Sequence, residues 1–531
     1  MPPVELYDTT LRDGAQREGI SFSVVDKLNI THKLDELGIH FIEGGWPGSN
    51  PKDVEFFNKA WSLTLSHSQL VAFGSTRRPK IKAETDANLL ALADAGVKVA
   101  TIVGKSSDLQ VTQVLETTLD ENLSMIADSI NYLRAKGLTV FFDAEHFFDG
   151  FKSNPSYALR VLQVAAEAGA SCLVLCDTNG GALPDEITAA IEAAGKLATV
   201  PLGIHTHDDG GLAVANTLAA LKAGVSQIQG TINGYGERCG NANLCSIIPT
   251  LKLKMGIDCI MNEQLAKLTE ISHYVSEAAN LVPDVSLPYV GASAFSHKGG
   301  LHVSGMTKWA ESYQHIDPGK VGNQLKVLVS ELSGRGNILY KARELGVSLP
   351  PSGKEAQKLL EQVKLLESRG FQYDHAEASF ELLVHRAKPG YQPPFELVDF
   401  MVVVEKRRRP PTQKTLEGTL SEAMVKVRVG TEIMHTAAEG NGPVNALDEA
   451  LRKALLQFYP SLAQVKLVDY KVRILEESIG TASQVRVLIE SSDGVVEWRT
   501  VGSSTNIIEA SWLALADSLE YWLIKQEKTG K

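Results

Sequence analysis

Cysteine is scarce in this chain. Five occur in 531 residues, an odd number confined to 172–259, which excludes a disulfide framework and suits a reducing compartment. No apolar run is long enough to cross a bilayer. The opening residues, MPPVELYDTTLRDG, lack the charged-then-apolar order of a secretory leader, so a cytoplasmic protein without a membrane partner is expected. Positive charge is short as well: a net charge of −11 disfavours nucleic acid as a partner. The run KRRR at 406–409 precedes two prolines and reads as a solvated strand end or linker.

What is present is the composition of an ordinary globular protein, 44% hydrophobic and 22% charged, in a chain long enough for two or three domains. Up to about residue 255, short apolar runs alternate with longer helical patterns. The runs are VELYD, HFIEGG, LVAFGS, VKVATIV, LTVFFDAE, SCLVLCDT, PLGIHTH and SQIQGTIN. Between them lie stretches such as DKLNITHKLDELG and SYALRVLQVAAEAG, apolar at helical spacing, with glycine just past the end where a helix terminates. Eight strand–helix units predict an α/β fold of the (β/α)8 (TIM) barrel type, and the count disfavours the alternative, an open doubly wound sheet.

Residues 1–270 are therefore expected to form the barrel. Residues 271–392 carry helical segments and a glycine-rich insert, GASAFSHKGGLHVSGM, which suits a linker and lid. From 393 the pattern changes to alternating strands with helices between and after them. Gly442, Glu449, Ala450, Ala454 and Leu455 recur 60 residues later as Gly502, Glu509, Ala510, Ala514 and Leu515, which predicts a duplicated strand–helix unit. Residues 393–531 read as an α+β ligand-sensing or dimerising domain, the plainer alternative being a packing domain.

The hexapeptide HTHDDG, residues 205–210, follows a strand-like run. Residues two apart on a strand share a face, so His205 and His207 point the same way and can grip one ion. Two imidazoles make a weak site alone. In a barrel of this kind the strand ends gather at one mouth. There Asp13, in DTTLRDGAQ after the first strand, and Asn241, in NGYGERCGNANL after the eighth, are the expected partners. Two imidazoles, a carboxylate and an amide oxygen leave open positions for a chelating substrate and suit Mn, Mg, Zn or Co.

LYDTTLRDGAQ, CDTNGG, HTHDD and GERCGNANL, in that order, resemble the motifs of acyl-CoA-dependent Claisen-condensing enzymes, the isopropylmalate, homocitrate and citramalate synthase family. The resemblance extends over nearly the whole chain. FIEGGWPGSNPKD and FFDAEHFFDG look most like the members that join acetyl-CoA to pyruvate. The resemblance implies metal ligands Asp13, His205, His207 and Asn241, with Arg12 steadying developing negative charge and Thr178 holding the substrate carboxylate. It implies His302, assisted by Glu145, as the base, and Tyr313 near the same proton transfer. Where members commonly carry an acid two residues after that histidine, this chain has Ser304. It further implies that residues 293–313 act as a lid supplied by the partner subunit of a homodimer, and that the C-terminal repeat binds a pathway amino acid, here isoleucine. Gly442 and Gly502, with Asn441, Ser503 and Ser504, are the expected cradle for that effector. Trp46 and Ile102 are expected to narrow the substrate pocket to a methyl group, and no arginine or lysine stands out as the partner of a second carboxylate.

Three rival readings remain open on sequence. One is a sister synthase acting on 2-oxoisovalerate or 2-oxoglutarate. Another is a metal-dependent lyase or aldolase on a similar barrel, although lyases usually end soon after it. The third, a non-catalytic amino-acid sensor, accounts only for residues 393–531.

Overall fold

The computed structural model describes residues 3–346, 354–388, 390–406, 419–475 and 483–529. Eight parallel strands, β1 (Glu5–Asp8), β2 (Phe41–Gly45), β3 (Gln69–Ser75), β4 (Val99–Lys105), β5 (Thr139–Glu145), β6 (Cys172–Asp177), β7 (Leu202–Thr206) and β8 (Gln227–Gly230), close into a barrel in chain order. Closure is made by β1, whose residues Glu5–Asp8 lie opposite Gln227–Gly230 of β8. Each of the eight apolar runs becomes a strand, and closure decides for the barrel against the open sheet.

Alternation along the strands sorts the side chains into two layers. Leu6, Ile42, Ala72, Ala100, Ile102 and Phe142 pack among the surrounding helices, whereas Tyr7, Phe41, Val71, Val99, Phe141, Cys172, Val174 and Cys176 form a separate buried cluster inside the barrel. Cys172 and Cys176 are core residues, and burial raises the pKa of both thiols. The helices are cut by local signals. Helix Val24–Leu37 opens on a reciprocal cap between Ser23 and Asp26 and closes on Gly38 at φ +87°, a conformation glycine adopts without strain.

The chain divides into two compact units, residues 1–295 with 316–325, and residues 296–315 with 326–531. In the second, a short parallel pair, β9 (Ser296–His297) and β10 (Lys326–Val327), is followed by helices Arg335–Glu344, Lys354–Ser368 and Glu377–Arg386. Two antiparallel sheets come next, β11 (Glu396–Lys406), β12 (Thr419–Val429) and β13 (Glu432–Gly440), then β14 (Lys466–Ile474), β15 (Val485–Ser492) and β16 (Glu497–Ser504). Helix Pro443–Leu455 follows the first sheet and helix Ile507–Thr529 the second. Among the described residues no helix is long and apolar enough to cross a membrane. The basic run begins at Lys406, the last residue of β11, and its arginines at 407–409 lie outside the described residues.

The duplication is there, but its register is not 60 residues. Leu397–Phe400 and Leu467–Tyr470 are the matching pieces, each with a register shift at the same point of the strand. In the following elements Thr436 Oγ1 donates to the Ala450 carbonyl just as Thr500 Oγ1 donates to that of Ala514. The offset is thus 70 residues in the first strand and 64 thereafter, because the first hairpin is shorter in the second copy. Gly442 caps a helix, whereas Gly502 lies inside β16, where a side chain would meet the Ala510 carbonyl oxygen at 1.9 Å. They are not equivalent turns.

Candidate active site

Every strand of the barrel ends at one mouth, over a cavity of about 430 Å³. Asp13 enters it from the turn after β1 and His205 from β7, with His207 and Asn241 facing each other in an isolated bridge. His205 Nε2 and His207 Nε2 are 3.1 Å apart, and Asp13 Oδ2 lies 3.3 and 3.9 Å from them. Asn241 Nδ2 donates to Asp13 Oδ2 at 2.8 Å and lies 3.4 Å from His205 Nε2. A side chain at position 236 would meet Asn241 Oδ1 at 1.8 Å, and one at 240 would meet the Gly234 carbonyl at 2.0 Å. Only glycine lets this loop close over the cluster.

The donors fit a divalent cation. Asp13, His205 and His207 are buried, and their ligand atoms lie within 4.8 Å of one another. Buried Asn241 Oδ1 has no hydrogen-bond partner, and an amide turned by half a rotation presents that oxygen to the cluster. Burial and the neighbouring His205 lower the pKa of His207 to about 4, so its ring is neutral with a lone pair to give. Burial opposes ionisation of Asp13, but Arg12 and His205 outweigh it and hold the carboxyl well below its ordinary range. Burial lowers and Asp13 raises the pKa of His205, the net direction being up. A cation would compete with a proton for His205 Nε2.

Arg12 lines the same cavity. Its Nε donates to Glu43 Oε1 at 2.6 Å, and its guanidinium carbon sits 3.8 Å from the centre of the Phe73 ring. It is a half-buried, oriented cation rather than a surface salt bridge. Thr178 follows β6 and is no helix cap, since the next helix starts at Pro184. Its Oγ1 accepts from the His146 amide at 2.8 Å, and its carbonyl accepts from Arg238. Arg238 in turn forks onto both Asp209 oxygens at 2.7 and 2.8 Å. Glu145, at the end of β5, pairs with Lys105 at 2.5 Å and also lines the cavity.

His302 and Tyr313 belong to the second unit. His302 lies in helix Gly300–Lys308, exposed, and its ring stacks on that of Tyr313 at 4.3 Å between centroids. Ser304 is on the same helix.

Two expectations need correcting. Ile102 packs among the helices and does not face the mouth, because its neighbour Val103 takes the inward position. Trp46, Phe73 and Val103 are among the apolar lining of the cavity, with Pro79, Leu115 and Met125. Basic side chains are also plentiful. Arg77, Arg78, Lys105 and Arg238 line the cavity, and of these Arg77 pairs with Glu121 and Asp128, while Lys105 and Arg238 have the partners given above. Sequence reading also missed Glu43, Gln229 and Asp143. The signal for all three was a polar residue interrupting an apolar strand.

Residues 3–275 match the HMGL-like family model, residues 289–370 the homocitrate synthase post-HMGL domain-like model, and residues 374–523 the LeuA allosteric (dimerisation) domain model. The chain is 55% identical to (R)-citramalate synthase of Geobacter sulfurreducens, over 99% of both chains. It is 52% identical to that of Aquifex aeolicus, again over 99% of both. Identity falls to 32% with 2-isopropylmalate synthase of Methanocaldococcus jannaschii, over 99% of this chain and 96% of that one. With full-length agreement added to the ordered motifs and the cluster at the mouth, the chain belongs to the (R)-citramalate synthase family, within the HMGL-like proteins.

Proposed function

We propose that this chain, an acyltransferase of the condensing type, joins acetyl-CoA to pyruvate and, with water, releases (R)-citramalate and CoA. The observation that carries the reading is the convergence of Asp13, His205, His207 and Asn241 on a cavity also lined by Arg12, Glu145 and Thr178. The reading is of a cytoplasmic enzyme in threonine-independent isoleucine synthesis, inhibited by isoleucine through residues 393–531. Residues 1–270 are the catalytic domain and 271–392 the linker and lid.

Held by the four ligands, Mn, Mg, Zn or Co would supply Lewis-acid polarisation of the 2-oxo acid ketone. The chain's own groups do the rest. Thr178 Oγ1 already accepts from the His146 amide, so its hydroxyl proton is free to donate to the substrate carboxylate. Arg12 sits beside Asp13 and offsets the charge that grows on the ketone oxygen as the new carbon–carbon bond forms. His302, with Glu145, removes a proton from the acetyl methyl group, and Tyr313 assists. The enolate carbon then attacks the ketone carbon, and water cleaves the thioester to free CoA.

His302 and Tyr313 are assigned to the partner subunit of a homodimer. Exposed apolar residues on the sheets of the second unit, among them Met401, Val404, Ile433, Val468 and Val472, support such an association. The deciding experiment supplies acetyl-CoA with pyruvate, 2-oxoisovalerate or 2-oxoglutarate and follows free thiol, with the product identified by chiral chromatography. Thiol release fastest with pyruvate is expected. Release only with another 2-oxo acid, or only from a hydroxyacyl-CoA, overturns the assignment.

A further inference from the structure

Below the cluster, His205 Nδ1 lies 2.8 Å from Gln229 Oε1, and Gln229 Nε2 donates to Asp143 Oδ1 at 3.1 Å. All three side chains are buried. They come from β7, β8 and β5, so the chain of bonds crosses the barrel interior. An amide has one accepting and one donating end. A carboxyl oxygen accepts whether or not the acid carries its proton, so Asp143 takes the NH2 end of Gln229 and leaves its oxygen facing His205. That oxygen accepts only from an N–H, so the His205 proton is fixed on Nδ1 and the Nε2 lone pair is turned to Asp13 and His207.

We infer that Gln229, oriented by Asp143, is a positioning residue that sets the tautomer and ring angle of His205 for cation binding. This rests on the reading of Asp13, His205, His207 and Asn241 as a metal site. Glutamine has a specific advantage over a carboxylate in direct contact with the histidine: it transmits hydrogen-bond direction without adding a further charge beside buried Asp13. Leaving ligand orientation to chance costs about 10- to 100-fold in metal affinity.

The test is titration of the chelator-stripped full chain with Co(II), read as affinity and as the position and intensity of the visible cobalt bands. Gln229→Met keeps the length and removes both polar ends. Its affinity is expected to drop about 10- to 100-fold, with altered bands. Gln229→Glu keeps an acceptor toward His205 and can share one proton with Asp143, so it is expected to stay within about threefold of the parent. Packing alone would give the reverse order, since methionine fills the space and glutamate buries a second acid. Asp143→Ala, which frees the amide to turn over, is expected to fall between them. If Gln229→Met does not fold, as judged by circular dichroism, Asp143→Ala against Gln229→Glu carries the comparison. Methionine binding like the parent, or glutamate failing while methionine holds, overturns the inference. A parent chain that binds no Co(II) overturns both the inference and the metal-site reading.

Discussion

Arg12 donates to Glu43 at 2.6 Å, and the same Glu43 carboxylate accepts from the Tyr7 hydroxyl at 2.6 Å in the barrel interior. Burial opposes the guanidinium charge, but Glu43 and Asp13 more than offset it and raise the pKa of Arg12 further. The cation is thus fixed before any substrate arrives, which is the condition for stabilising charge that develops only in the transition state. Arg12→Lys keeps the charge but loses the planar fork. We expect kcat to fall about 10²- to 10³-fold with KM changed little, the usual cost of losing one such donor. Steady-state kinetics check this, and a lysine variant within tenfold of the parent kcat would remove Arg12 from the chemistry.

His207 offers a neutral ring with its Nε2 3.1 Å from that of His205. His207→Ala leaves one imidazole, a carboxylate and an amide. Bound metal, measured by plasma emission after dialysis, should drop below stoichiometry, and turnover should fall with it. Normal activity after chelation would sink the metal assignment.

How much of this was legible beforehand follows from distance along the chain. The eight strands announce themselves as short apolar runs between helical patterns and the His205–His207 pair by period-two alternation, both local signals. Asp13 and Asn241 were found because barrel topology brings the ends of the first, seventh and eighth strands together. Glu43 and Gln229 were missed because their roles depend on partners 31 and 24 residues away. The repeat was seen but misregistered, since matching small residues says less than matching hydrogen bonds such as Thr436 to Ala450. Ile102 was assigned to the wrong face because alternation cannot say which of two faces points into a barrel.

Asp143 and Asp8 are both buried, and burial pushes each carboxyl up to about 7. An acid raised in the folded state holds a proton that the unfolded chain gives up near pH 4. Folding is therefore linked to proton uptake between about pH 4 and 7, and stability drains away as pH rises through that window. Asp143→Asn has no such proton to lose. Relative to the parent, its melting temperature in chelator should rise from pH 5 to pH 8, Asp143 contributing on the order of 3 kcal/mol. A difference that is flat with pH would show that Asp143 is ionised throughout.

Trp46, Phe73 and Val103 form part of the apolar wall of the cavity, with Trp46 meeting Phe73 edge-on at 5.4 Å between centroids. The Trp46 indole is held by Asn88 at 2.6 Å, so the wall is stiff. Pyruvate should be preferred over 2-oxoisovalerate, whose isopropyl group is two carbons larger than a methyl, each methylene of mismatch being worth about 1–3 kcal/mol. Val103→Ala should raise kcat/KM for 2-oxoisovalerate relative to pyruvate by about tenfold. Competition between the two acids measures the ratio, and an unchanged ratio would place the discriminating contact elsewhere.

The second repeat is joined to the segment that carries His302 by a continuous run of contacts. Ser503 Oγ and Gln484 Nε2 each donate to the Arg369 carbonyl at 2.9 Å. A few residues on, Asp374 pairs with Lys298 at 2.9 Å, and Lys298 lies two residues before the helix of His302. In the first repeat the residue matching Ser503 is Glu439, which is exposed, so the two copies differ in what they hold. If isoleucine acts through the repeats, it must bind one arrangement of this joint better than the other, because equal affinity shifts nothing. Replacing Ser503 and Gln484 together by alanine removes both bonds to the Arg369 carbonyl, worth about 0.5–1.5 kcal/mol each, against a typical coupling energy of about 1–3 kcal/mol. Because Ser503 Oγ is turned to the Arg369 and Val485 carbonyls and not to the expected cradle, isoleucine should still bind, as read by calorimetry, while its inhibition weakens about 5-fold or more. This is a gentler cut than truncation near residue 390, which would strip Asp517 and Glu520 from Arg386. Inhibition that persists unchanged in the double variant would route the coupling away from this joint, and isoleucine that binds neither parent nor variant would leave the repeats a dimerisation device alone.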